Sequence, residues 1–191
     1  VASFEIIRDK RVVGSSAVHL LSMAVVLFVF WMLLSGNTQP KFVTYGVLTA
    51  IIATWVSYPL LLIPNADDTK RYFVFGINPI KLMAYAVWLF WQLVLANIDV
   101  IRATVRPEID IDPSVVRFRY QTDNPMARVV LANSITLTPG TVTMNVTEDG
   151  VYEVHALTVG AADGLRSGDM QKKVAWLYGE PYEFTMLEGK D

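Results

Sequence analysis

The sequence predicts a helical membrane part followed by a small α+β domain. Two long apolar runs without a single charge open the chain, a third apolar segment carries one polar stripe, and short alternating strands follow Pro107. The composition agrees. The chain has 191 residues, of which 53% are hydrophobic and 18% charged, whereas soluble domains run nearer a quarter charged. The charge is also unevenly divided. Five acids and nine bases precede Pro107, and thirteen acids and seven bases lie from it onward. An acidic C-terminal half argues against nucleic acid as a partner, because phosphate binding needs clustered Lys and Arg. With no cysteine, disulfides, iron–sulfur clusters, thiolate zinc and thiol nucleophiles are excluded. The two histidines, His19 and His155, are too far apart in sequence to suggest a metal site. No cofactor and no metal-binding or catalytic residue is expected.

The first apolar run extends from Val12 to Pro40, with a nearly unbroken core over Ala17–Leu34. About 20 helical residues cross a hydrocarbon layer of about 30 Å. Arg8, Lys10 and Arg11 precede the run, as in a signal peptide. The run exceeds a typical h-region and no A-x-A-like site follows, so a retained membrane helix is expected. His19 lies inside it. An intramembrane ionisable group is a functional candidate by default, and a proton relay is one reading. A neutral imidazole near a helix end, snorkelling or bonded to a carbonyl, is the other. The second run, Phe42–Ala66, contains Pro59 and Pro64, which mark a kink or a stop. The short SGNTQPK connection makes the first two segments an antiparallel hairpin over about residues 15–66.

The third segment, about residues 77–106, is amphipathic. Stepping 100° per residue from Lys81 brings Asn78, Tyr85, Trp88, Gln92, Asp99, Arg102 and Arg106 within about 60° of it. Such a helix lies along a membrane interface or turns its stripe to partner subunits. Loop charges place the N-terminus and the second loop in the cytoplasm, by the positive-inside rule. The expectation is therefore two crossings, a third helix that does not fully cross, and a cytoplasmic C-terminal domain. Three full crossings is the alternative.

Pro107 should break the long helix, dividing a membrane part, 1–106, from an α+β domain with a C-terminal tail, 107–191. The acids Glu108, Asp110 and Asp112 alternate in the linker, as a solvated stretch or a weak site for a hard cation. Val115–Gln121 alternates as a half-buried strand. Asp123-Asn124-Pro125 starts a helix with its apolar face over Met126–Ala132. Pro139-Gly140 turns the chain. Strands follow over Thr141–Thr147 and Val151–Val159, joined by the hairpin signal Glu148-Asp149-Gly150. Ala161–Tyr178 reads as a helix weakened by Gly164 and Gly168. The order is βαββα, a ferredoxin-like arrangement whose first two strands run parallel as neighbours or near-neighbours. The final EPYEFTMLEGKD reads as a mobile or partner-bound extension.

Enzyme motifs are missing. Ser134 lacks a G-x-S-x-G elbow, His155 falls in a predicted strand, and Thr138–Thr141 lacks the Walker pattern and its Lys. The stretch LANSITLTPGT, Leu131–Thr141, is chemically mild but distinctive. Asn133 and Ser134 are suited to bonding backbone groups at a helix end. Ile135, Thr136 and Thr138 favour extended backbone, and Pro139-Gly140 suits a turn whose third residue needs positive φ. Three readings stand: a rigid helix-to-strand crossover, a docking surface for a neighbouring subunit, or a cation-binding cluster of hydroxyls and carbonyls.

The run Ala132–Thr141 resembles the hallmark of the E-type subunits of the Mrp (Mnh or Pha) type multisubunit cation/proton antiporters. Leu95-Ala96-Asn97-Ile98-Asp99-Val100 is similar to that family's helix end before its Arg-Pro linker, here Arg106-Pro107. The resemblance covers nearly the whole chain and is poorest over the last dozen residues. It implies an accessory, non-catalytic, multi-pass subunit of a Na+/H+ antiporter in the cell (plasma) membrane. Such a subunit is needed for assembly, and a place bordering the sodium route is a further implication. Its partners would be the other antiporter subunits and membrane lipid, with Na+ and H+ as the transported ions. The third segment is less charged near Gln92 and Leu95 than the family's pattern, which weakens an ion-pathway carboxylate there. The sequence leaves open a lining role for His19 or Asp99. The alternative is a membrane-anchored interaction or sensory domain without a transport role.

Overall fold

The computed structural model describes residues 11–105 and 111–187, which fall into two compact units, residues 1–76 and 77–191. Arg8, Lys10, Arg106, Pro107, Glu108 and Asp110 lie outside the described residues. So does the expected break at Pro107. The third helix groups with the C-terminal domain, whereas composition alone sets the division at Pro107.

In the first unit, helix α1 spans Ser16–Ser35 and α2 spans Pro40–Ser57. Gly36 ends α1 in the left-handed region, at φ 59°, and its N–H donates to the Met32 carbonyl. This is the usual glycine stop. Pro40 opens α2 at a position where a missing N–H costs nothing. The two helices pack closely because Gly46 lacks a side chain: a Cβ there would lie 2.5 Å from the Trp31 ring. Trp31 Nε1 donates to the Phe42 carbonyl at 3.3 Å. Pro59 tightens the end of α2 into a 3-10 turn, Tyr58–Leu61.

A small sheet completes the unit, and its pairing is not foreshadowed by the sequence pattern. Strands β1 (Arg11–Val12), β2 (Leu62–Pro64) and β3 (Lys70–Phe73) lie in the order β1-β3-β2. Asn65 sets the β2–β3 turn, its Oδ1 accepting from the Thr69 and Lys70 amides.

Helix α3, Pro79–Val105, begins the second unit. Strands β4 (Ser114–Gln121), β5 (Thr141–Val146), β6 (Val151–Ala156) and β7 (Glu183–Met186) form one sheet in the order β5-β6-β4-β7. All its neighbours are antiparallel. The first two strands, β4 and β5, thus run parallel as near-neighbours with β6 between them. Helices α4 (Pro125–Leu137), α5 (Val159–Arg166) and α6 (Asp169–Tyr178) cover one face. The alternation of β4 decides which face: Val116, Phe118 and Tyr120 are buried beneath the helices, while Arg117 and Arg119 point away.

Three expectations are corrected here. Glu183–Met186 is a strand paired with β4, not an extension, so the order of elements is βαββααβ. Gly168, at φ 73°, divides the expected single helix into α5 and α6. And α4 runs on through the β-branched Ile135 and Thr136 to Leu137, because Ile135 is buried in the core and tertiary packing outweighs its local preference.

Among the described residues, three helices are long and apolar enough to cross a membrane: Ser16–Ser35, Pro40–Leu61 and Pro79–Val105. In α1 no residue is buried, and Leu33, Leu34 and Val26 are about two-thirds exposed or more. A hairpin with so much apolar surface needs an apolar surrounding.

Candidate functional site

The distinctive stretch Leu131–Thr141 meets α3, and the site is best built from the hydroxyls upward. Asn124 caps α4, its Oδ1 accepting from the Met126 amide at 3.0 Å, and Pro125 follows in the first turn. Ser134, on the last turn of α4, points inward and shares a hydrogen bond of 2.7 Å with the Tyr85 hydroxyl of α3. Both groups are buried. Asn133 is exposed instead of closing the helix end, so the expected backbone-bonding role passes to the threonines. Thr138 Oγ1 donates to the Ser134 carbonyl at 2.8 Å. Thr141 Oγ1 reaches the Ile135 carbonyl at 2.6 Å and the Thr138 carbonyl at 2.9 Å. Thr136 Oγ1 accepts from the Thr143 amide at 3.1 Å, tying α4 to β5.

Between them, Thr138-Pro139-Gly140-Thr141 is the expected turn. The Thr141 amide donates to the Thr138 carbonyl at 3.2 Å, and Gly140 takes φ 89°, a conformation that suits glycine. The Gly140 carbonyl accepts from the Leu157 amide at 2.8 Å, fixing the turn to the end of β6. Each of the four hydroxyls is thus engaged within the chain.

The polar stripe of α3 faces this assembly. Lys81 Nζ donates to the Trp176 carbonyl at 3.0 Å and lies 5.4 Å from the centre of that ring. Lys173 lies 4.9 Å from the same ring and 5.7 Å from Trp88. Cation–π attraction between α3 and α6 follows from this Lys-Trp alternation. Farther along, a cavity of about 250 Å³ separates α3 from the turn, with Gln92 and Asp99 on one wall and Thr138, Pro139, Thr158 and Asp169 on the other. Asp99 is largely exposed and lies 3.7 Å from Arg102. The sequence places Lys81, Tyr85, Trp88 and Gln92 on one helix face. Their partners Ser134, Lys173 and Trp176 carry no signal beyond the i, i+3 spacing of the last two.

Other candidates lie elsewhere. His19 sits in the first turn of α1, its ring stacked on Phe73 of β3 at 4.6 Å. His155 lies on the open sheet face, in register with Val115 and Val142. Asp112 is exposed. No group of three or more His, Asp or Glu suited to a metal ion occurs among the described residues. In the core beneath the sheet, burial pushes the Tyr178 hydroxyl up to about 12 and raises those of Tyr120 and Tyr152 further. These groups stay neutral across the physiological range.

The chain is similar to known proteins. The family model described as Na+/H+ ion antiporter subunit matches residues 24–176. The E1 component of the Na+/H+ antiporter of Staphylococcus saprophyticus is 34% identical over 126 residues, 65% of this chain and 72% of the relative. The E component of the Na+/H+ antiporter of Alkalihalophilus pseudofirmus is 38% identical over 71 residues, 37% of this chain and 45% of that one. Among solved structures, a chain of the membrane-bound sulfane sulfur reductase, an archaeal respiratory membrane complex, is similar at a TM-score of 0.54 and 30% identity. That likeness covers 73% of this chain and 83% of the other. A chain of the Mrp complex from Dietzia sp. gives a TM-score of 0.37 at 27% identity, over 52% of this chain and 94% of that one.

Proposed function

The chain belongs to the family of Na+/H+ ion antiporter subunits, and on that footing we propose that it is an accessory, non-catalytic subunit of an Mrp-type antiporter, required for assembly. Its α1–α2 hairpin crosses the cell membrane and its C-terminal domain lies on the cytoplasmic side with the other subunits as partners. The engaged hydroxyls of Ser134, Thr136, Thr138 and Thr141 carry the non-catalytic part of this reading. A cation site needs several oxygens turned to a common centre, and here the side-chain oxygens stitch α4, α3 and β5 together. The stretch is a crossover that holds a shape for neighbours. Strand order β5-β6-β4-β7 with the helices on one face supports a ferredoxin-like reading of the domain. The basic flank Arg8, Lys10 and Arg11 supports the cytoplasmic orientation.

Deleting this chain should lower the recovery of intact complex in mild detergent and abolish Na+/H+ exchange in vesicles. Wild-type exchange without it would remove the essential role. Pro139→Ala should reduce assembly and leave the apparent Na+ affinity of whatever assembles unchanged. A fully assembled variant with altered Na+ affinity would favour the cation-cluster reading instead.

A further inference from the structure

Helix α3 has two opposed faces, and only one of them is covered. The side that carries its polar stripe is met by the chain's own domain from Lys81, at the Trp176 carbonyl, to the apolar Val100 at the margin of that stripe, beside Gly140. Those 19 steps measure about 28 Å, nearly the full thickness of a hydrocarbon layer of about 30 Å. The opposite face carries Ile80, Met83, Val87, Phe90, Ile101 and Val105, all more than half exposed. Spaced by three or four residues with Val94 and Ile98 between them, they form an apolar stripe along the helix, interrupted by the exposed Asn97, whose amide folds back to donate to the Leu93 carbonyl.

We propose that α3 lies along the membrane rather than across it, with this stripe sunk among the acyl chains of a single leaflet and the C-terminal domain seated on its other side. The inference rests on the membrane-subunit reading under Proposed function and deepens it. Length and hydropathy alone would let α3 cross. The covering domain forbids it. A crossing α3 would carry α6 and the turn before it into the hydrocarbon, and with them Asp169 and the Lys81–Trp176–Lys173 contact. Ionised groups at that depth are costly. A helix with one aqueous flank and one apolar flank satisfies both only in the plane of the interface. Asp99 and Arg102, exposed on the polar side of the helix, then stand at or above the headgroups, and α3 contributes no carboxylate to an intramembrane ion path.

The test uses the full-length chain, which has no native cysteine, both in vesicles of phosphatidylcholine and phosphatidylglycerol and in the assembled complex with cysteine-free partners. Nitroxide labels at Met83→Cys, Val87→Cys, Phe90→Cys and Ile101→Cys report depth through their relative accessibility to oxygen and to a nickel chelate. An in-plane helix gives four labels at one shallow depth, each open to oxygen. A depth that rises to a maximum near Phe90 and falls again by Ile101 would overturn the proposal, as would labels closed to both reagents in the complex, since a partner subunit would then cover the stripe. Val94→Cys and Val105→Cys replace any variant that fails to insert. Failure of the chain to co-purify with antiporter subunits would strike the subunit reading and leave the depth result to stand or fall separately.

Discussion

Helices α1 and α3 are both long and apolar enough to span a bilayer, yet they solve opposite problems. α1 is apolar all round, and none of its residues is fully buried within the chain. α3 gathers most of its polar residues on one side and turns that side to its own domain, with Tyr85 buried in the domain core. Both helices are apolar enough to cross, α1 by the wider margin; what sets their tasks apart is how the polar residues are distributed around the axis. A uniformly apolar helix requires the same surrounding everywhere. A striped one can face two media and tie a folded domain to the surface between them.

The contrast can be broken most severely in the domain core. Phe118 is fully buried and stacks on Tyr152 at 5.0 Å. Phe118→Ala should cost about 3–5 kcal/mol, read as loss of the cooperative unfolding transition of the domain while helical signal from the hairpin persists. Unchanged unfolding would mean that the sheet does not organise this unit. A charge in α1 comes next. Val26→Arg should lower membrane insertion by about 2.5–3.5 kcal/mol if it reaches the bilayer centre, whereas Gln92→Arg on the covered face of α3 should insert like the parent. Equal penalties in a glycosylation-mapping assay would erase the distinction between the helices.

A smaller effect sharpens it. Tyr85→Phe leaves the buried Ser134 hydroxyl without its partner and should destabilise the domain by about 1–2 kcal/mol, while Ser134→Ala added to it should restore part of the loss. Strict additivity in the double-mutant cycle would show that the two hydroxyls do not act as a pair. The last effect is alkaline and is absent at neutral pH. The Tyr178 hydroxyl is raised to about 12 by burial, so the folded state keeps a proton that the unfolded chain releases near pH 10. Stability should be full below about pH 10 and fall as pH rises toward 12. Denaturation midpoints followed with tyrosinate absorbance check this, and a midpoint insensitive to pH across that window would contradict it.

What the sequence reveals and what it hides divide along similar lines. The hairpin is plain because lipid demands an unbroken composition, and β4 is plain because one of its faces is buried while the other is wet. The stripe of α3 is plain too, but not its occupant: Tyr85 and Ser134 are 49 residues apart, and nothing local to either names the other. The end of α4 is hidden because Ile135 and Thr136 favour strand on their own. β7 is hidden because four residues after Pro181 are too few to show a period. The three-stranded sheet near Lys70 is hidden because its strands are two to four residues long.

The position of β7 has a further consequence for biosynthesis. This strand, translated after the other three, joins the flank of β4, which also pairs with β6. A nascent polypeptide leaving the ribosome would therefore deliver its oily N-terminal helices to the insertion machinery while one border of the later sheet still stood open. Chaperones would meet that border, and a premature stop ahead of Glu183 would leave it permanently available to stray strands.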